Sequence, residues 1–198
     1  MTSGAVKRWC TIGAVAAALA WHTAALAQEY EVGTPEAGAD EFYRSFRTHR
    51  WEEMAATLHP EARDLFRERI LAVVRGDDSG TVAAEVFGAT PEALVAMDTR
   101  LLFARLMRGI AGYAPGMLQA MTTKDVRILG HVTEASDDGS LAHVVIRSRE
   151  PLSGSAPSRV EILSFGLDDG VWRVTWSDEL DVVASALVAV PTGEAPFP

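Results

Sequence analysis

Cysteine, lysine and asparagine are almost missing from this chain. The single cysteine among 198 residues is Cys10, which excludes a disulfide framework and paired-cysteine zinc binding. Lysine occurs only at Lys7 and Lys124, and asparagine not at all, so arginine carries nearly all the positive charge. Against 27 acidic residues that leaves a formal charge of −9, which argues against nucleic acid or an anionic membrane surface as partner. Also absent are a glycine-rich phosphate loop, a His-Glu-x-x-His pair and a nucleophile elbow. The Asp77-Asp78, Asp137-Asp138 and Asp168-Asp169 pairs lack the alternate spacing of a calcium loop and read as turns. Neither a metal nor a cofactor is expected.

What is present begins with a processing signature. Lys7-Arg8 is followed by an alanine-rich apolar run over 9–26 and then by Ala25-Leu26-Ala27, so residues 1–27 read as a signal peptide cut before Gln28. The alternative is an uncleaved anchor; Trp21, His22 and Thr23 interrupt a run already short of the ~20 apolar residues a span needs. Cleavage leaves 16 basic against 27 acidic residues, a charge of −11. The arginine and alanine bias is that of a GC-rich bacterial coding sequence, so the expected destination is the periplasm or the medium. Residues 28–37 then form a flexible leader, 38–190 one globular domain and 191–198 a disordered tail.

The domain is organised around residues 159–176, RVEILSFGLDDGVWRVTW. Asp169-Gly170 is the dipeptide a two-residue type I′ hairpin requires. The pairing that follows sets Leu167 opposite Trp172, Phe165 opposite Val174 and Leu163 opposite Trp176. That face is apolar and is expected to pack on Phe42, Phe46 and the helix over 51–58. The other face, with Val160, Ile162, Ser164, Gly166, Arg173 and Thr175, is free to meet water or a second protomer, so a homodimer through the sheet is a possible partner arrangement.

Ahead of the hairpin the period is helical. Thr34-Pro35-Glu36 starts a helix running to residue 49 or 50; a short helix over 51–58 ends at His59-Pro60, with His59 in a capping role. Pro60 opens a third helix with Ala62, Leu65, Phe66, Ile70 and Val73 on its buried side. Past the 76–80 loop come helical pieces over 82–87, 91–110 and 117–121, the second started by Thr90-Pro91-Glu92. From Asp125 the period is two. If Ile128 pairs with Ile146, Arg127 faces Arg147 and His131 faces His143, two imidazoles available to a base or a metal but without a third ligand. Residues 178–190 read as a last helix or an extended strap.

Helices first, a Trp-Glu-Glu-Met-Ala-Ala-Thr-Leu-His-Pro-Glu-Ala segment over 51–62, and a meander ending in Asp-Gly-Val-Trp-Arg-Val over 169–174 together resemble the nuclear transport factor 2-like superfamily. The resemblance covers about residues 38–177 and departs from the usual pattern in its helices over 81–121, where many members place a β-hairpin. It implies an α+β fold in which a curved antiparallel sheet wraps a helical cone around an apolar pocket. Tyr43, Phe46, Glu161, Phe165 and Trp176 are the residues expected to line that pocket. Glu161 shares the buried face of its strand, where a carboxylate would titrate high. Function therefore divides two ways: a non-catalytic exported module binding a small apolar ligand or a protein partner, or a cofactor-independent enzyme like the SnoaL proteins, moving protons with a pocket acid, histidine or tyrosine. No catalytic residue is assigned.

Overall fold

A computed structural model describes residues 30–113, 115–123, 125–136, 139–149 and 158–176. The expected signal peptide, the strap over 178–190 and the tail over 191–198 lie outside the described residues. The described residues from Val32 to Trp176 belong to one compact unit, and a helix begins in it at Pro35, so folded structure reaches back into the expected leader. The fold is α+β. Among the described residues six α-helices come first: α1 (Pro35–Arg47), α2 (Trp51–Ala56), α3 (Pro60–Gly76), α4 (Pro91–Ala96), α5 (Thr99–Tyr113) and α6 (Pro115–Thr122), with a π-helical turn (Val82–Val86) between α3 and α4. The strands β1 (Asp125–Ser136), β2 (Gly139–Arg149), β3 (Arg159–Asp168) and β4 (Val171–Val174) follow as an antiparallel sheet in chain order.

The start signals work as capping chemistry predicts. Thr34 Oγ1 accepts the Ala37 amide at 3.3 Å, and Thr90 Oγ1 accepts the Ala93 amide at 3.3 Å, each ahead of a proline that has no amide to satisfy. The ends differ from expectation in three places. Helix α1 stops at Arg47 because His49 turns to a φ of 57°. His59 holds the cap position of α3, but its side chain makes no capping bond. Its backbone acts instead: the His59 amide donates to Val174 O at 2.7 Å, and the Val174 amide to Thr57 O at 2.9 Å, a parallel bridge that stitches the α2–α3 link to β4.

The helix expected over 91–110 is two helices. Met97 is extended (φ −76°, ψ 144°), and Asp98 Oδ1 restarts the chain by accepting the Arg100 amide at 2.9 Å. Arg67 Nη1 and Nη2 donate to the carbonyls of Met97 and Val95, both at 2.5 Å, which supplies partners for the acceptors the break sets loose. On α3 the row Ala62, Phe66, Ile70, Val74 is buried together with Leu71; Leu65 and Val73 are half-buried. Phe66 meets Phe103 of α5 at 5.0 Å between ring centroids.

Just after α3, Asp77 accepts the amides of Val82 at 2.7 Å and Ser79 at 3.1 Å. The Ser79 hydroxyl, then the Val82 amide, hold its carboxyl below the ordinary range. A depressed folded-state pKa stabilises the loop above the unfolded value and is lost as pH falls through the folded one. The Val82 amide-proton shift is therefore expected to titrate with a midpoint below the usual ~3.9; a midpoint at or above that value refutes the cap.

In the sheet, Asp169 (φ 49°) and Gly170 (φ 76°) form the loop, and Phe165↔Val174, Leu167↔Trp172 and Asp168↔Val171 pair as expected. The ladder ends at Val174, so the pairing of Leu163 with Trp176 is not formed, although the Thr175 amide still donates to Ser164 O at 2.9 Å. Ala142, Val144, Ile146, Leu163, Phe165 and Val174 form the inner face and are buried. The expected aromatic wall is only partial: Trp172 and Trp176 are half-buried, and Leu167 is 40% exposed. Helix α1 closes on this face at Gly38, where a Cβ would stand 2.8 Å from the Trp172 carbonyl oxygen and 3.3 Å from the Phe165 ring.

The β1–β2 register corrects one expectation. Ile128 does face Ile146, and Arg127 faces Arg147, but Leu129 bulges out and pairing resumes as Gly130↔Val145, His131↔Val144 and Val132↔His143. One inserted residue inverts the facing of everything after it, so His131 and His143 fall on opposite faces rather than across from each other.

Candidate functional site

The five residues expected to line a pocket are dispersed through the packing. Phe165 is fully buried and Phe46 is 8% exposed; Phe46 meets Trp51 edge-on at 5.8 Å, and Tyr43 meets Phe42 at 5.3 Å. Glu161 is half-buried, and its Oε1 accepts the Ser148 hydroxyl at 2.6 Å, a neighbour directly across the ladder's diagonal that the strand pattern did not single out. Trp176 is half-buried beyond the end of β4. None of the five lines the cleft described next.

That cleft has a volume of about 450 Å³ and lies between the start of α1, the end of α2 and the β3–β4 hairpin. Its walls are mainly apolar, from Val32, Ala37, Ala56, Val171 and Trp172, with Glu41, Glu53 and Arg173 as the charged groups. Arg173 is committed: Nε donates to Asp168 Oδ2 at 2.8 Å and Nη1 to Ala56 O at 2.5 Å, tying the hairpin to the end of α2. Glu41 is committed too, accepting from Ser45 Oγ at 3.0 Å, Arg50 Nη2 at 3.3 Å and Arg44 Nη1 at 3.1 Å.

The outer face of the sheet is the second feature. Leu129 (51%), Val132 (60%), Val160 (65%) and Ile162 (61%) are exposed there, with half-buried Val145 between them. Arg127 and Arg147 stand at one end of this apolar patch, and Glu134 at the other. Large apolar side chains concentrated on one sheet face mark interaction surfaces more often than scattered ones do.

The histidines have separate partners. His131 Nδ1 meets Glu36 Oε1 of α1 at 2.5 Å, whereas on the outer face His143 Nδ1 meets Ser164 Oγ at 3.0 Å. Among the described residues no cluster of three or more His, Cys, Asp and Glu side chains could hold a metal ion, and no helix is long and apolar enough to cross a membrane. Sequence reasoning missed the Glu36–His131 contact because it missed the bulge. The signal was there in Gly130, since a glycine inside a strand pattern marks such a site. Compared with known proteins, the chain matches no family model, no curated protein and no solved structure.

Proposed function

We propose that this is an exported, non-catalytic interaction domain of nuclear transport factor 2-like build that pairs with a second copy through its outer sheet face. The observation carrying this reading is the exposed patch of Leu129, Val132, Val160 and Ile162. Charge selects the geometry. A two-fold axis along the strands would bring Arg147 over the partner's Arg147, which is repulsive. An axis across the strands, midway between the Val145 and His143 rows, keeps each strand over its own copy and brings Arg127 over the partner's Glu134. The same axis seats large on small, Val132 over Gly130 and Ile162 over Ser164, using the observed register. Such an interface is isologous, each contact occurring twice.

Three strands about 4.8 Å apart and roughly ten residues long give a face near 500 Å². This is below the ~800 Å² per partner of a standard interface, so association in the micromolar range is expected. Sedimentation from about 5 to 500 µM is expected to show a monomer–dimer equilibrium, abolished by Ile162→Asp and weakened by Arg127→Glu, with Arg127→Glu/Glu134→Arg restoring it. A parent that stays monomeric throughout, or an Ile162→Asp variant that dimerises like the parent, overturns the reading.

A further inference from the structure

We propose that the cleft between α1, α2 and the hairpin is a binding site for an organic ammonium ion, a primary or quaternary amine carrying a compact apolar body. Its volume of about 450 Å³ is within the ~300–1,000 Å³ typical of small-molecule sites, and its walls are mostly apolar, so the bulk of a ligand must be apolar as well.

The sign of the ligand's charge follows from which groups in the cleft are already used. The start of α1 forms one wall, and helix starts ordinarily favour anions through unpaired amides. Here three of the first four positions offer no free donor: Pro35 has none, the Ala37 amide donates to Thr34 Oγ1 at 3.3 Å and the Gly38 amide to Thr34 O at 3.2 Å. Arg173, the only cation among the described lining residues, is held by Asp168 and the Ala56 carbonyl. Glu41 is neutralised by Arg44 and Arg50. Glu53 remains, exposed and with no side-chain partner among the described residues. The one uncompensated charge in the cleft is therefore negative. Trp172, half-buried in the wall, adds an indole, the aromatic side chain that attracts a cation most strongly. An anion would meet the repelling Glu53 carboxylate, and a neutral ligand would leave it unused.

Isothermal titration of the full chain with phenethylammonium, 2-phenylethanol and phenylacetate varies the charge at nearly constant shape. The ammonium is expected to bind about fivefold or more tighter than the alcohol, and phenylacetate weakest, with the preference shrinking as salt rises. Glu53→Gln should cut the preference for ammonium over alcohol to about twofold; this side chain is exposed and has no partner among the described residues, so folding is not at stake. Trp172→Leu should weaken all three ligands, whereas Glu68→Gln, on the exposed side of α3, should change none. Equal affinity for the three probes, a preference for the carboxylate, an unchanged preference in Glu53→Gln, or no heat from any probe up to about 20 mM would each overturn the assignment. These outcomes are independent of dimerisation, which involves the opposite face of the sheet.

Discussion

Phe165→Ala is expected to lower the unfolding free energy by about 3–5 kcal/mol, the range for truncating a buried phenylalanine. Phe165 has no exposed surface, pairs with Val174 on one side and Ala142 on the other, and supports the close approach of α1 at Gly38. Its removal leaves a hole between the sheet and α1, two regular elements that cannot collapse as a loop would. Leu167, two residues along the same face, is 40% exposed, so Leu167→Ala should cost about 1 kcal/mol, its burial scaled down accordingly. Chemical denaturation of the two variants beside the parent tests the pair. Equal losses would mean that the inner face does not extend under α1 as described. Trp172, which the sequence pattern put in the same buried wall, is half-buried and should rank between them.

Gly109→Ala in α5 separates two opposed effects of different size. Intrinsic helix propensity favours alanine over glycine by about 1 kcal/mol in a helix interior. In this fold, however, a Cβ at Gly109 would collide with the Val86 carbonyl oxygen and its side chain. Val86 closes the π-helical turn packed on α5, and a carbonyl inside a hydrogen-bonded turn cannot rotate away as a side chain can. Overpacking of this kind costs about 1–3 kcal/mol, enough to cancel the propensity gain and reverse it. A net loss on denaturation is the expected result. Any stabilisation would show that the turn does not lie against α5.

How much of this was readable in the sequence depended on how local each signal was. Caps were legible: Thr34-Pro35 and Thr90-Pro91 specify their helix starts within four residues. The hairpin was legible as well, because Asp169-Gly170 supplies both positive-φ positions and fixes the pairing of the flanking strands. Illegible were the features set by a distant partner. The break at Met97 depends on Arg67, 30 residues earlier, capturing the carbonyls it frees. His59 looks like a cap from its neighbours alone, and only the return of β4 turns its backbone into a bridge. Trp172 and Trp176 carry the alternation of core residues, yet beyond Phe165 and Val174 both are only half-buried, so the pattern overstated their burial. The cleft was missed for the same reason: its walls come from three segments of which none is unusual by itself.

The extra residue at Leu129 also gives the strand an arithmetic of odd and even. Every side chain of β1 beyond it owes its facing to a count of one: deleting Leu129 would leave a regular ladder with the same distal pairs, whereas drawing Leu129 into the ladder would exchange the two faces over the distal half of the strand. With Leu129 paired to Val145 instead of bulged, His131 would leave Glu36 and stand across from His143, while Val132 turned from solvent toward the helices. The bulge thus holds the two imidazoles on opposite faces by parity alone, one kept for Glu36 beneath the sheet and the other for Ser164 above it.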